Sequence, residues 1–193
     1  SPFRTLYFAT SSQVKFSQYE CIFRDFGVSL RKAPAISSTL IEPQIDTSTE
    51  SDQTLLVSHP LRQISRFVSK LGHLPYMVED TMLFIERFSK DYQRRLGLPG
   101  ADTKNWWVNL GADGVLELLK GSNLRGALFV CQIGIYLGGS RYIFTDAELL
   151  GGISKKAMES EVANSCVPFT NPFFFHRIFV PHGLTKTIAQ LDS

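Results

Sequence analysis

Leu6-Tyr7-Phe8-Ala9-Thr10-Ser11-Ser12-Gln13-Val14-Lys15 is the stretch from which the architecture is read. Its first four residues form a short apolar run of β type. Thr10, Ser11 and Ser12 are small and polar, suited to a loop and a helix N-cap, where a side-chain oxygen accepts a first-turn amide. Phe16, Tyr19, Ile22, Phe23 and Phe26 then recur at helical spacing, and Gly27 supplies a stop. The pattern predicts a strand, a polar loop and a helix over residues 14–26, with Lys15 near the helix start.

The whole chain bounds what such an opening can belong to. With 193 residues it is long enough for one domain with a sizeable core, or two small lobes around a cleft. Apolar residues make up 44% and charged residues 20%, an ordinary globular balance. A formal net charge of +2 is too small for a general nucleic-acid or membrane binder. Cys21, Cys131 and Cys166 are widely spaced and odd in number, which predicts neither a disulfide framework nor a zinc site. Each reads as a small buried hydrophobe. Apolar runs are too short to span a bilayer, and Ser1-Pro2-Phe3-Arg4 does not open like a signal peptide. A cytoplasmic location is the default expectation.

Further along, residues 36–54 are rich in Ser, Thr and Pro and read as a weak strand plus an exposed loop. A helix is expected over 61–71. Tyr76-Met77-Val78 reads as a buried strand that delivers Glu79-Asp80-Thr81 at its C-terminal end, the end where open α/β sheets hold ligands. Gly97-Leu98-Pro99-Gly100 marks a turn, and residues 106–120 an amphipathic helix closed by Gly121. Residues 128–136 and 141–144 read as a hairpin around Leu137-Gly138-Gly139-Ser140. Residues 153–163 are expected as a surface helix or insertion, and 167–181 as a loop followed by a strand.

Three pieces of this chain carry chemistry if the strands are parallel neighbours. The Thr10-Ser11-Ser12 loop and Lys15 offer amides, hydroxyls and an ammonium to a phosphate, although taken alone the stretch reads better as a plain helix cap with a solvated lysine. Glu79 and Asp80 can hold Mg2+ against phosphate oxygens or orient a water; the competing reading is an acidic helix cap. Lys104, beyond the Gly97–Gly100 turn, is placed to reach a triphosphate. Trp106 and Trp107 could stack a base, with core packing of at least one favoured.

These residues resemble a known family. Ala9-Thr10-Ser11-Ser12 with Lys15 is similar to the ATGNxxK opening of the inosine triphosphate pyrophosphatase family. Val78-Glu79-Asp80-Thr81 with Leu83 resembles its VEDTxL segment, and Gly97-Leu98-Pro99-Gly100 with Lys104 its GLPGxxxK stretch. Residues 114–119 with Gly121, then Gly151-Gly152-Ile153, and finally Phe179-Val180-Pro181 with Thr187-Ile188-Ala189-Gln190-Leu191 follow in family order. The resemblance implies a single α/β domain over 1–193, elongated, with a mixed central sheet and two lobes around a nucleotide cleft. It also implies a homodimer and Mg2+-dependent cleavage of ITP, dITP or XTP to monophosphate and pyrophosphate. Under it, Thr10, Ser11, Ser12, Lys15 and Lys104 bind phosphates. Asp80 and Glu79 act in catalysis and metal binding.

The departures from the family are physical. Ser12 stands where the family has Asn. Counted back from Asp80, His59 stands where it has a metal-binding Glu, and Ile64 where it has a Lys. Imidazole is a poor substitute for a carboxylate on a hard cation such as Mg2+. The aromatic loop beside the base is replaced around 173–177, so Phe175, His176 and Arg177, with Trp107, are the base-binding candidates. His176 and Arg177 also read as outward residues of a Phe-rich strand. The chain stops at Ser193, before the family's Ser-His-Arg segment. The expectation is therefore a binder of deaminated purine triphosphates with weakened hydrolysis, acting as a sensor or regulatory subunit. By analogy alone, degenerate relatives in bacterial anti-phage defence work beside a sirtuin-like NAD-consuming partner. An active pyrophosphohydrolase is the alternative, with Glu50 or Asp52 supplying the missing carboxylate. A purely structural module is disfavoured, since a scaffold has no need of Lys15, Glu79, Asp80 and Lys104 together.

Overall fold

The computed structural model describes residues 5–10, 12–33, 74–100, 102–138, 141–158 and 175–191. The expected weak strand over 36–54, the helix over 61–71, Ser11, His59, Ile64 and the turn residues Gly139 and Ser140 lie outside them.

The opening forms where the sequence puts it. Strand β1 spans Thr5–Phe8 and helix α1 spans Gln13–Asp25. Ser12 is the N-cap, its hydroxyl oxygen accepting the Lys15 amide at 3.2 Å. Gly27 follows at φ 70°, a left-handed conformation that costs glycine little. The chain then enters β2, Ser29–Lys32, a strand the sequence reading omits. Only Leu30 of β2 is buried, so the strand carries almost no hydrophobic pattern to read.

Strand β3 spans Tyr76–Ile85. The sequence reading places Glu79-Asp80-Thr81 at the strand's end; instead the strand runs on through them, because Met82-Leu83-Phe84-Ile85 is a second fully buried β run. The acids are therefore mid-strand, and the helix-cap reading of Glu79 and Asp80 falls with that. β1 pairs in parallel with both β2 and β3, with Phe8 level with Lys32 on one side and with Met77 on the other.

The remaining described strands and α-helix are β4 (Pro99–Gly100), α2 (Thr103–Leu118), β5 (Gly126–Gly138), β6 (Arg141–Ile153) and β7 (Phe179–Pro181). Among the described residues they complete a seven-stranded mixed sheet of order β2-β1-β3-β5-β6-β7, with β4 beside β3. The fold class is α/β with a mixed sheet, as expected. Among the described residues no helix is long and apolar enough to cross a membrane.

By internal contacts the chain forms two compact units, Ser1–Asp80 with Gln132–Asp146, and Thr81–Cys131 with Ala147–Ser193. In the first, one face of β2-β1-β3 buries Leu6, Phe8, Leu30 and Met77 under Phe16, Tyr19 and Phe23 of α1. The opposite face gathers Tyr76, Val78 and Tyr136 with Tyr7 and Ala9. In the second, Leu83, Ile85, Val115, Leu119, Ile153, Phe175 and Phe179 share one core.

Several details of the second unit differ from the sequence reading. Helix α2 starts earlier than predicted and is broken at Gly111, whose φ 61° and ψ −174° are not helical. The hairpin strands β5 and β6 are far longer than expected, and their far ends meet where the Ile153 amide donates to the Arg125 carbonyl at 2.8 Å. The Arg125 guanidinium fastens this corner, donating to the carbonyls of Leu119 and Ile153, each at 2.8 Å, and of Ser154. Residues 154–158 are not helical: the Ser154 and Met158 amides donate to the Ile178 and Arg177 carbonyls at 2.7 and 2.9 Å. Phe175–Arg177 is a 3-10 turn, so His176 and Arg177 do not alternate along a strand. Gly151 is required where β6 meets β7, since a Cβ there would overlap the Val180 carbonyl oxygen and the Phe179 ring.

Thr103, at the start of α2, is buried, and its hydroxyl accepts the Leu83 amide at 2.8 Å while donating to the Gly100 carbonyl at 2.5 Å. Thr103→Val keeps the shape and strands both groups, so it is expected to cost about 1–3 kcal/mol. Urea unfolding should show a lower midpoint with unchanged slope, whereas Thr103→Ser should stay near wild type. A Val variant as stable as the Ser variant would contradict this role of the hydroxyl.

Candidate functional site

Lys15 and Glu79, chosen separately from the sequence, meet in the first unit. The Lys15 ammonium lies 2.8 Å from the Glu79 carboxylate. The Glu79 side chain is 1% exposed and that of Lys15 is 21% exposed, so the pair has one buried end and one that reaches solvent. A carboxylate held that deeply requires a cation to offset its lost hydration, and α1 supplies one three residues after its N-cap.

Strand alternation decides what the two acids can share. Met77 packs under α1, and Glu79, two residues on, follows it to the same face, where Lys15 meets it. Tyr76 and Val78 point to the opposite face beside Tyr136, and Asp80 follows them by the same alternation. Adjacent in sequence, Glu79 and Asp80 thus leave the sheet on opposite sides. Joint coordination of one Mg2+ by both side chains, expected from the sequence, is not what this strand geometry offers.

The loop before α1 is organised by its own hydroxyls. Thr10 accepts the Ser12 amide at 3.1 Å, and Ser12 accepts the Lys15 amide. The Phe16 amide donates to the Ser12 carbonyl at 3.1 Å. Gln13 and Val14 are then the remaining first-turn positions, whose amides have no intrahelical acceptor in any α-helix. Positive dipole, two outward amides and an ammonium coincide here.

The sequence reading missed Lys32. The last residue of β2, it stands level with Phe8 at the same end of the parallel strands, and its ammonium lies 5.6 Å from the centroid of the Phe16 ring. The available signal was Val28 and Leu30 at strand spacing after Gly27, closed by the basic pair Arg31-Lys32.

The other candidates belong to the second unit. Lys104 is an exposed residue in the first turn of α2. Phe175 is fully buried, with Trp107 at 4.5 Å, Phe129 at 5.9 Å and Trp106 at 6.4 Å between ring centroids. Its ring is a core residue with no face open to a base, and this corrects the base-stacking expectation for Phe175. Trp107 is half-buried against it. Burial holds His176 well below its ordinary range, to about 4, so its imidazole is neutral at pH 7. The Arg177 side chain donates to the Met158 carbonyl at 3.4 Å.

The asymmetry of the Lys15–Glu79 pair is testable through stability. Lys15→Met takes the nearest cation from a buried carboxylate and is expected to cost about 3 kcal/mol. Glu79→Gln leaves an ammonium that reaches water, and a smaller loss of about 1 kcal/mol is expected. Urea denaturation of both variants checks the order; a Glu79→Gln loss equal to or above that of Lys15→Met contradicts it.

Comparison with known proteins agrees with these motifs. Residues 6–193 match the Ham1 family. A dITP/XTP pyrophosphatase of Pyrococcus horikoshii is 26% identical over 190 residues, covering 96% of this chain and 84% of that protein. The solved nucleoside-triphosphatase (dITP/XTP pyrophosphatase) of Mycobacterium abscessus is similar in fold, with TM-score 0.63 and 18% identity over 97% of this chain and 88% of that one. A HAM1 protein from Coxiella burnetii gives TM-score 0.64 and 19% identity over 97% and 87%. Matched from Leu6 to its last residue, the chain belongs to the Ham1 family, the inosine triphosphate pyrophosphatase-like proteins whose motifs it carries.

Proposed function

We propose that this chain binds a deaminated purine nucleoside triphosphate, such as dITP or XTP, with its phosphates at the start of α1, and that it turns the nucleotide over slowly. The observation that carries the reading is the Lys15–Glu79 ion pair at 2.8 Å beside the Ser12-capped helix start. A buried carboxylate fixes where the ammonium sits, so the phosphate meets a cation already in place. Thr10 and Ser12 line the same loop, and Ser11 and Lys104 are phosphate contacts through the family resemblance alone. The dITP/XTP pyrophosphatases among its relatives support the substrate class.

Asp80 is the carboxylate left for water activation or metal binding, because Glu79 is committed to Lys15. One carboxylate with substrate phosphates is a donor set that Mg2+ accepts, since it takes one or two protein carboxylates and fills its shell with phosphate oxygens and water. When bound, the ion would neutralise charge on the phosphates. Trp107, His176 and Arg177 remain candidates for the base. A neutral His176 presents one donor and one acceptor, and Arg177 can donate to the oxygen that deamination leaves on a purine.

Slow turnover follows from what surrounds Asp80 in this reading. Glu79 does not share its metal, and the sequence has His59 and Ile64 where the family resemblance calls for Glu and Lys. Each electrostatic contact missing from a transition state costs roughly 10²–10³ in rate, and groups acting as a unit are not additive. Binding that outlasts chemistry suits a sensor. The homodimer enters only through the resemblance, a sirtuin-like NAD-consuming partner in anti-phage defence only by analogy, and the cytoplasmic setting only as the default expectation from the sequence. The second reading, an active pyrophosphohydrolase, is favoured by the names of the relatives.

Single-turnover kinetics separate the two. With protein in excess over dITP and Mg2+ present, pyrophosphate release is expected far below about one per second, the low end of ordinary enzymes. Asp80→Asn should abolish what remains and weaken the Mg2+ dependence of dITP binding without lowering the melting temperature. Turnover at about one per second or faster establishes the pyrophosphohydrolase. Unchanged Mg2+ dependence in Asp80→Asn removes Asp80 from the site.

A further inference from the structure

We infer that Lys32 is a further phosphate-binding side chain of this site, one that supplies the net positive charge the Lys15–Glu79 pair lacks; the inference rests on the nucleotide-binding reading above. Lys15 and Glu79 together are electrically neutral, and the carboxylate cancels much of the attraction the ammonium exerts beyond close contact. A triphosphate is a polyanion, and a site for it needs a cation whose charge is not already answered.

Lys32 meets that need by position. Strands β1 and β2 end together, at Phe8 and Lys32, while β3 passes Phe8 at Met77 and runs on, so the order β2-β1-β3 sets Lys32 and Glu79 on either side of the end of β1. Leu30 points to the α1 face with Leu6, Phe8 and Met77, so Lys32, two residues on, leaves the sheet on that same face. This is the face on which Lys15 and Glu79 meet.

Its partner there is an aromatic ring. The Lys32 ammonium lies 5.6 Å from the Phe16 centroid, and Phe16 is the residue after Lys15 in the first turn of α1. A ring face attracts a cation through its quadrupole without carrying net charge. Phe16 therefore holds the Lys32 ammonium beside the helix start while leaving its charge available. Among the described residues no carboxylate forms an ion pair with Lys32, which is exposed. The first unit thus presents one cation positioned by a buried acid and one positioned by a ring.

The test compares dITP and dIMP binding by calorimetry, with Mg2+ present, in wild type, Lys32→Ala and Lys32→Arg. Loss of one charge-assisted phosphate contact should weaken dITP by about tenfold in Lys32→Ala, leave dIMP within about twofold, and flatten the salt dependence of dITP binding. Lys32→Arg should restore most of the dITP affinity, which a merely structural role for the strand end does not require. Wild type that prefers dITP over dIMP, with a Lys32→Ala variant keeping that full preference, overturns this inference alone. Wild type without any preference for dITP overturns the nucleotide-binding reading and this inference with it.

Discussion

The Glu79 carboxylate, 1% exposed in the middle of β3, is the constraint around which the first unit is arranged. Moving such a group out of water costs several kcal/mol unless a cation answers it. The Lys15 ammonium can answer it because Ser12 caps α1 at one fixed position, and because Phe16, Tyr19 and Phe23 seat the helix on Leu6, Phe8 and Met77. Cap, apolar seat and ion pair thus set the same helix position from three directions. A change in any of them moves the ammonium that the proposed ligand needs.

The same strand that buries Glu79 separates it from its neighbour. Side chains alternate along β3, so the residue beside Glu79 serves the other face, and the two acids have different tasks. Glu79 holds a lysine, and Asp80 is the acid to which the proposed function assigns the chemistry. In the second unit the aromatic residues do structural work. Phe175 sits among Trp106, Trp107 and Phe129, and Phe129 packs on Phe179 at 4.7 Å. Arg125 closes the corner between the end of α2 and the end of β6 through three carbonyls.

What was legible in the sequence follows the strength of the local signals. β1, Ser12 and α1 were readable because an apolar run, a capping hydroxyl and a helical period coincide there. The stop at Gly27 was readable because glycine alone takes its positive φ cheaply. β2 carries only a faint signal, because one of its four residues is buried. The length of β3 was misjudged because Glu79-Asp80-Thr81 interrupts two buried runs and looks like an ending. That Lys15 pairs with Glu79 depends on the parallel register of β1 and β3, a long-range fact carried by no local window. Phe175 looked available to a base because aromatic character is visible in a sequence and burial is not. The family resemblance, by contrast, rested on motif order along nearly the whole chain, and the match over residues 6–193 agrees with it.

The central claim is that phosphates bind at the start of α1 against Lys15. It is tested most directly by hydrogen exchange of individual amides, with and without a non-hydrolysable dITP analogue and Mg2+. The account predicts slowed exchange at Gln13 and Val14, the first-turn amides that point out of the helix, with little change for dIMP and none in Lys15→Met. Saturating analogue that leaves the Gln13 and Val14 amides exchanging as in the free protein would contradict it.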